Sequence, residues 1–302
     1  MTDATSSDEA TSDDRWTVLR LLNWTTEFFK KRGSDTARLD AEVLLAHARD
    51  CSRIELYTAF EEEPGEQERA AFRELVRRRG EGTPVAQLVG YTEFYSLRLR
   101  VDEHTLIPRP ETEHLVIEAI DCAKQMSVDG RRLEVADVGT GTGAIAIAFA
   151  IHQPDAHVTA IDLSAEALEI AKWNASHHDV DSRIDFVQSD LLEAINEPQK
   201  FDLICSNPPY VSETEYAELD PSVRDFEPKS ALVAGEDGTE VIKRLLAESY
   251  DRLNPGGRLI IELSPMIADA CEDLAEQVSE LGDARFIKDL AGHRRILSLA
   301  RV

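Results

Sequence analysis

The chain has 302 residues, enough for one large domain and a smaller one with a sizeable core. Its 58 acidic residues against 33 basic ones give a formal charge of −25. A field of that sign repels nucleic-acid phosphates and anionic lipids, so the overall charge disfavours a general DNA or membrane binder.

The four cysteines lie far apart and form no C-x-x-C pair, which is typical of a reduced cytosolic protein without a disulfide or metal framework. No apolar run reaches the length of a membrane span, and the first residues are acidic where a secretion signal would be basic. We therefore expect a soluble protein of the cytoplasm.

The N-terminal part predicts a tail followed by a small helical domain. Residues 1–14 are polar and acidic and lack large apolar groups, so we expect them to be disordered. From Trp16 onward apolar residues recur at helical spacing, and this predicts an all-helical domain over residues 15–83. Four aromatic residues are expected in its core: Trp16, Trp24, Phe28 and Phe29.

Residues 84–107 alternate apolar and polar side chains, which predicts a β-hairpin linker between two domains. The prolines of "IPRPETEHLV" end this extended segment, and a helix is predicted from Glu111. The second domain is therefore expected over residues 108–302.

In the second domain, predicted strands and helices alternate after Arg131. Regular alternation with nearly continuous apolar strands predicts an α/β fold with a parallel sheet covered on both faces. The predicted strands are residues 132–138, 157–163, 183–190, 201–207, 257–263, 284–290 and 294–302.

A glycine loop lies between the first of these strands and the next helix, in "ADVGTGTGAIAI". Gly139, Gly141 and Gly143 allow positive φ and a close approach of backbone N–H groups to a ligand. Asp162 follows about 20 residues later, where a carboxylate can accept both ribose hydroxyls. The pattern suits a dinucleotide when read through Ala144 as G-x-G-x-x-A, and S-adenosylmethionine when read as G-x-G-x-G; a glycine turn used only for packing is a further alternative.

The tetrapeptide Asn207-Pro208-Pro209-Tyr210 follows the fourth strand of the series, at the edge where open α/β sheets bind ligands. It is either a plain strand terminator or a site that binds a planar NH₂ group. An amide nitrogen is a poor nucleophile because its lone pair is delocalised. The Asn207 side-chain oxygen and the Pro208 carbonyl would accept its two N–H bonds, while Tyr210 packs on the amide plane.

Together, "DVGTGTGA", Asp162 and "SNPPY" resemble a class I S-adenosylmethionine-dependent methyltransferase that acts on a planar nitrogen. "TLIPRPETEHLV", "FEPKSALVAGEDG" and "LAGHRRIL" further resemble the family that methylates the glutamine of the Gly-Gly-Gln motif in bacterial peptide chain release factors (HemK/PrmC type). The resemblance extends from about Trp16 to Val302. It departs at Ser264-Pro265-Met266, where the family carries a glycine and then a glutamine, and at Leu191, where some relatives have an aromatic residue.

The resemblance implies a Rossmann-like domain with a mostly parallel, mixed seven-stranded sheet, and a helical domain that docks a release factor. It implies S-adenosylmethionine as the cofactor and S-adenosylhomocysteine as the product. We also expect no metal, no direct nucleic-acid partner and a monomer. Catalysis would rest on Asn207, Pro208 and Tyr210, with Pro209 also contacting the substrate. The implied cofactor-binding residues are Gly139, Thr140, Gly141, Thr142, Gly143, Asp162, Asp190, Leu191 and Asn207.

Some expectations stay open between two interpretations. Asp190 either accepts from the adenine amino group or is an ordinary strand-end residue. Arg109 and Glu111 either line the cofactor entrance or form a salt bridge at the start of a helix. Glu227, together with the following proline, either walls the glutamine pocket or belongs to a simple turn. For function, the alternatives are an adenine-N6 methyltransferase on DNA or RNA, and a nucleotide-binding oxidoreductase or non-catalytic binder.

Overall fold

The structure is a computed structural model that describes residues 15–126, 131–196 and 198–302. The chain divides into two compact units, one ending at Val89 and the other spanning Gly90–Val302. The tail predicted over residues 1–14 lies outside the described residues. The division falls inside the predicted linker of residues 84–107, so the hairpin belongs to the second unit.

Over residues 15–89 the first unit is built from five helices, which confirms an all-helical region. Its first helix is capped by Thr17, whose hydroxyl accepts from the backbone N–H of Arg20 at 3.3 Å and so satisfies one of the free donors of the first turn. Val18, Leu22 and Leu44 are fully buried in the core of this unit. The helices are α1 Val18–Lys30, α2 Ala37–Ala48, α3 Arg53–Thr58, α4 Glu66–Gly80 and α5 Val85–Val89.

The aromatic core predicted for this unit is wrong in part. Phe29 is buried, but Trp24 is 52% exposed and stacks on Phe28 with ring centroids 5.4 Å apart. Trp24 and Phe28 stand four residues apart, so they share one face of α1, and that face points partly to solvent. Trp16 packs edge-on against Trp24, and the Arg20 guanidinium covers the Trp16 ring. Trp16, Trp24 and Phe28 therefore form a cluster at the surface, because the apolar stripe of α1 is wider than the face that the helix buries.

The predicted hairpin is present but shorter than expected. Strands β1 Tyr91–Phe94 and β2 Leu97–Arg100 pair antiparallel, with Tyr95 and Ser96 at the turn in positive φ. Such a two-residue turn matches the twist of the strands that it joins. The segment Val85–Val89, included in the predicted linker, is helical instead, and its Leu88 and Val89 are buried.

The second unit is built around a mixed, mostly parallel seven-stranded sheet, in the order β5-β4-β3-β6-β7-β9-β8. The first five strands of this order are parallel, whereas β9 runs antiparallel to β7 and β8 antiparallel to β9. The last connection is a short loop, which permits a hairpin but no parallel crossover. The strands are β3 Glu134–Val138, β4 His157–Asp162, β5 Ile184–Gln188, β6 Phe201–Ser206, β7 Leu253–Glu262, β8 Leu281–Lys288 and β9 Arg294–Arg301.

Helices cover both faces of the sheet, as the alternation predicts. One buried cluster contains Ile147 and Phe149, and the second contains Leu245 and Cys271. The helix "AIAIAFAIH" is apolar on nearly every side because it is buried nearly all round. The helices of the described part of this unit are α6 Glu113–Met126, α7 Ala144–His152, α8 Ala165–His177, α9 Glu213–Glu218, α10 Pro221–Arg224, α11 Glu240–Arg252 and α12 Ala268–Glu276.

The strand order creates a crevice at the centre of the sheet. From β3 the chain moves outward through β4 to β5, and then returns to β6 on the other side of β3. The connections after β3 and β6 therefore leave in opposite directions and open a gap at the carboxyl ends of these strands. The glycine loop follows β3 and the Asn-Pro-Pro-Tyr sequence follows β6, so the topology brings these two motifs together.

Candidate active site

The three glycines of the glycine loop (residues 139–143) all have positive φ, of 74°, 54° and 81° in chain order. A Cβ on Gly143 would lie 2.9 Å from Ile147 Cδ1 and 3.2 Å from Ala171 Cβ, so this glycine lets α7 pack closely on α8. A Cβ on Gly141 would meet nothing within 4 Å, and one on Gly139 would meet only the Asn207 carbonyl, at 3.9 Å. The first two glycines thus leave open space for a ligand, whereas the third serves packing.

The threonines of the glycine loop hold its shape from inside. Thr140 Oγ1 donates to Asp137 Oδ2 at 2.6 Å, and the Ala146 backbone N–H donates to the same oxygen at 3.0 Å. The Thr142 carbonyl accepts from Asn174 Nδ2 at 2.9 Å. Asp137 Oδ1 is buried without a partner among the described residues, and burial raises the pKa of Asp137 to about 7 against these two hydrogen bonds. The side chains of both threonines are buried.

Asp162, at the end of β4, is joined to the glycine loop. Its Oδ2 accepts from the Gly141 N–H at 2.8 Å, and its Oδ1 accepts from the Ser164 N–H at 2.9 Å. Burial raises the pKa of Asp162, and these backbone donors oppose that rise. The Leu163 backbone is a third donor to this carboxylate, whose two oxygens have about four acceptor positions, so one position remains for a further donor.

Asp190 follows β5 at the same edge of the sheet, since Asp162 and Gln188 are partners in the β4–β5 ladder. Its Oδ2 lies 3.1 Å from Nη2 of Arg244. At this strand end, Asp190 is therefore an ion-paired carboxylate. Leu191, the next residue, is partly buried and has a φ of +47°, a conformation that few non-glycine residues adopt.

The NPPY turn (residues 207–210) begins where β6 ends beside β3. Ser206 Oγ donates to the Val138 carbonyl at 2.7 Å, which anchors the strand end next to the glycine loop. Asn207 Nδ2 donates to Thr112 Oγ1 at 3.1 Å. Among the described residues this is the one hydrogen bond of the Asn207 side chain, so its oxygen is left to accept from another donor. The Pro208 carbonyl likewise accepts no hydrogen bond from the described part of the chain.

A pocket of about 180 Å³ opens beside the turn. One water needs only about 10–15 Å³ of such space, so the pocket has room for a side chain. Most of its wall is aliphatic, and polar groups come from Arg109, Asn207 and Tyr210. The lining residues are Leu106, Arg109, Asn207, Pro208, Tyr210, Val211, Leu219, Val223, Ala231 and Leu232.

The wall of this pocket is held by a buried carboxylate. Glu227 Oε1 lies 2.5 Å from Arg109 Nη2, and its Oε2 accepts from the Ile107 N–H at 3.1 Å. The Glu227 side chain is fully buried, whereas that of Arg109 is about a third exposed. The partner of Arg109 is therefore the distant "FEPKSAL" segment, and the pair joins two loops that border the pocket.

Tyr210 is partly buried against the core of the second unit. Burial raises the pKa of its phenol to about 12, and the nearby Glu262 carboxylate adds to the effect. Tyr210 therefore keeps its proton at neutral pH and contributes a flat, uncharged ring to the pocket.

Thr112 and Glu262 are polar residues of this site that sequence reasoning missed. Both are buried, at 4% and 1% exposure. Burial raises the pKa of Glu262 to about 7, and a side-chain hydrogen bond from Thr112 opposes part of that rise. A charge at the end of the apolar strand "RLIIEL" was the available signal, because a carboxylate there must be buried at the sheet edge.

Comparisons with known proteins identify the family of the chain. The chain matches the PrmC N-terminal domain over residues 20–90 and the methyltransferase small domain over residues 119–220. It is 59% identical to a release factor glutamine methyltransferase of Rhodopirellula baltica over 293 residues, which cover 97% of this chain and 99% of that one. A protein of the same name from Koribacter versatilis is 40% identical, with 86% and 90% covered.

The chain belongs to the release factor glutamine methyltransferase family. It is therefore a methyltransferase, and the resemblance seen in its motifs is confirmed. Among solved structures, the catalytic domain of hMettl16 in complex with MAT2A 3'UTR hairpin 1 has a TM-score of 0.54 at 17% identity, covering 69% of this chain and 75% of that one. At 17% identity this likeness concerns the fold alone, and it confirms the Rossmann-like methyltransferase fold.

The described residues contain no group of three or more His, Cys, Asp or Glu side chains arranged to bind a metal ion. Nor does any described helix combine the length and the apolar character needed to cross a membrane.

Proposed function

We propose that this protein transfers a methyl group from S-adenosylmethionine to the side-chain amide nitrogen of the glutamine in the Gly-Gly-Gln motif of peptide chain release factors, and so tunes translation termination. The observation that carries the proposal is the orientation of Asn207. Its Nδ2 is turned to Thr112, which leaves its oxygen for a substrate amide in a family whose named members are release factor glutamine methyltransferases.

The NPPY turn is suited to binding an NH₂ group. A primary amide has two N–H donors, and the Asn207 oxygen with the Pro208 carbonyl supplies two acceptors at one corner. Pro208 and Pro209 have no N–H, so the turn offers no competing donors from these positions. The mostly aliphatic pocket excludes water from the amide, and the neutral Tyr210 ring packs on its plane. These residues together hold the nitrogen lone pair toward the crevice.

The residues around the glycine loop fit S-adenosylmethionine. Gly139 and Gly141 leave open space, the Asp162 carboxylate can accept a further donor, and Asp137 has an unpartnered buried oxygen. When bound, the cofactor supplies an electrophilic methyl carbon on a sulfonium. We assign its binding to residues 139–143 and Asp162, and its adenine end to Asp190 and Leu191. The Asp190–Arg244 ion pair would then open or share its carboxylate with the adenine amino group.

The rate would come mainly from positioning. The glutamine nitrogen forms a bond to the methyl carbon as the carbon–sulfur bond breaks, and the extra proton on nitrogen is then released. No covalent bond to the protein is needed. Holding the two reacting atoms in contact replaces a bimolecular encounter by an intramolecular one, which is worth a large effective molarity.

We further propose that the protein acts as a monomer in the cytoplasm and that its helical first unit docks the release factor. The match of residues 20–90 to the PrmC N-terminal domain supports the second part. The adenine-N6 alternative is not favoured, since relatives over nearly the whole chain are named for release factor glutamine. The formal charge of −25 also opposes nucleic-acid binding.

The proposal is tested by incubating the protein with isotopically labelled S-adenosylmethionine and, in parallel, a release factor, a release factor with its Gly-Gly-Gln glutamine replaced by alanine, and DNA. Mass spectrometry then locates the label. We expect label on that one glutamine and none on the alanine variant or on DNA. Label on DNA alone, or on other release factor residues, would contradict the proposed substrate.

A further inference from the structure

The side chain of Asn207 has a neighbour whose place follows from the sheet register. Ser206 and Ile261 are partners in the parallel β6–β7 ladder. The next residues along these two strands are Asn207 and Glu262, so they leave the sheet side by side. Glu262 is 1% exposed, and its Oε2 has no hydrogen-bond partner among the described residues. A buried carboxylate at this position is costly unless a nearby group uses it.

Thr112 bridges these two residues. It ends the 3₁₀ turn Pro110–Thr112 and is 4% exposed. Its hydroxyl accepts from Asn207 Nδ2 at 3.1 Å. A side-chain hydrogen bond from Thr112 also lowers the pKa of the Glu262 carboxyl, against the rise that burial causes. The segment that contains Thr112 is therefore bound to the sheet edge where the NPPY turn begins.

The order of these hydrogen bonds sets the direction of the Asn207 amide. A hydroxyl has one proton, and when that proton is given to a carboxylate the oxygen can only accept. Asn207 must then present its NH₂ group to Thr112, and its carbonyl oxygen faces the opposite side. Without Glu262 the Thr112 hydroxyl could donate to the Asn207 oxygen equally well, and both amide orientations would be populated.

We propose that Thr112 and Glu262 are positioning residues that hold the Asn207 carboxamide with its oxygen toward the substrate amide. The flipped amide would place an NH₂ group against the NH₂ group of the substrate, two donors facing each other. This proposal rests on the function proposed above, because it assigns Thr112 and Glu262 an effect only through Asn207.

The test is a double-mutant cycle on full-length protein. Thr112→Val keeps the shape of the side chain and removes the hydroxyl, and we expect it to lower kcat by about 10-fold, the effect of losing one modest hydrogen bond. The dissociation constant for S-adenosylmethionine, measured by calorimetry, should change much less. Thr112→Ser should restore most of the lost rate, because it returns the hydroxyl.

The decisive comparison is made in the Asn207→Ala background, under single-turnover conditions with labelled cofactor. If Thr112 acts through Asn207, Thr112→Val should change the remaining rate by less than about 2-fold there. A 10-fold loss in both backgrounds, or no loss in the wild type, would overturn the proposal. Thr25→Val is the matched control, since Thr25 is buried in the first unit and its hydroxyl has no partner among the described residues.

A second readout does not depend on turnover. The side-chain NH₂ signals of Asn207, identified in NMR spectra by their loss in Asn207→Ala, should exchange with solvent slowly in the wild type and faster in Thr112→Val and Glu262→Leu. Glu262→Gln keeps an acceptor oxygen and should exchange more slowly than Glu262→Leu. Equal exchange in all these proteins would also overturn the proposal.

Failure of the positioning proposal is distinguishable from failure of the proposed function. Wild-type turnover in Asn207→Ala would show that the methyl-transfer site is elsewhere. A large loss in Asn207→Ala with wild-type turnover in Thr112→Val would leave the site in place and reject the positioning role alone.

Discussion

The glycine loop and the NPPY turn lie at adjacent strand ends, but they are built in different ways. The glycine loop is shaped by residues that are closer in the chain: Asp137 accepts from Thr140, 3 residues away, and Asp162 accepts from Gly141, 21 residues away. The NPPY turn depends on distant segments, since Asn207 is oriented by Thr112, 95 residues away. One region is thus specified largely by local sequence, whereas the other exists only once the second unit has folded.

The same contrast separates the roles that we propose for the two regions. Glycines and a strand-end carboxylate recur wherever a nucleoside-containing cofactor binds, so local sequence is enough to specify such a loop. A pocket for one particular side chain needs walls from several parts of the chain. Substitutions in the two regions should therefore alter different measured quantities, and four predictions use this difference.

The largest effect is expected in the NPPY turn. Asn207→Ala removes one oriented acceptor and should lower kcat by roughly 10²–10³, the size seen when one preorganised hydrogen bond is lost from an active site. The affinity for S-adenosylmethionine should change far less. Steady-state kinetics with a release factor and calorimetry with the cofactor measure the two effects. A variant that lost mainly cofactor affinity would contradict the separate roles proposed for the glycine loop and the NPPY turn.

The glycine loop should respond mainly in stability and cofactor binding. Gly143→Ala places a Cβ against Ile147 and Ala171 at positive φ, and we expect a loss of about 2–4 kcal/mol in the free energy of unfolding. Gly141→Ala meets no neighbour and should lose only about 1–2 kcal/mol, while its cofactor affinity falls.

Gly256→Ala is the matched control for these two variants, because Gly256 also has positive φ and open surroundings but lies outside the loop. It should cost about 1–2 kcal/mol and leave cofactor affinity unchanged. Urea titration and calorimetry report both quantities. Equal destabilisation by Gly141→Ala and Gly143→Ala would contradict the packing role of the third glycine.

The pH dependence of stability should identify Asp137 as a buried acid next to the glycine loop. Its pKa is raised to about 7 in the folded protein, against about 3.9 in an unfolded chain. Between these values the folded carboxyl keeps a proton that the unfolded one has released. Its contribution to stability is thus complete below about pH 4 and is lost as the pH rises toward 7.

Asp137→Asn removes this titration and keeps an oxygen for Thr140 and Ala146. Between pH 5 and 7, the free energy of unfolding of the wild type should fall relative to that of the variant by up to about 1.4 kcal/mol per pH unit. Denaturant titrations across this range measure the difference. Parallel pH profiles for the two proteins would show that Asp137 is ionised when folded.

The smallest effect is expected at the pocket wall. Glu227→Gln breaks the ion pair with Arg109 but keeps an acceptor for the Ile107 N–H, and should cost about 1–2 kcal/mol of stability. It should also raise KM for the release factor, with the cofactor affinity unchanged. Glu213→Gln removes the exposed pair with Lys229 and should cost at most about 0.5–1 kcal/mol. A higher dissociation constant for the cofactor, without a higher KM for the release factor, would contradict the role of Glu227 at the substrate pocket.

Much of the fold follows from local patterns in the sequence. The predicted strands all occur in the sheet, because buried parallel strands are runs of apolar residues bounded by turn residues. Helix α12 was not predicted, since its buried residues Ala268, Cys271 and Ala275 are small and give a weak apolar pattern. The hairpin was predicted too long because Val85–Val89 is a short, mostly apolar segment, and the pattern of so short a segment fits a strand as well as a helix.

The sequence by itself determined the succession of strands, the glycine loop and the place of the NPPY turn at a sheet edge, because each depends mainly on residues close together in the chain. Only the tertiary structure decided that Thr112 and Glu262 meet Asn207, that Arg109 pairs with Glu227, and that Trp24 is exposed. These contacts join residues far apart in sequence, and no local spacing encodes which distant segments will pack together.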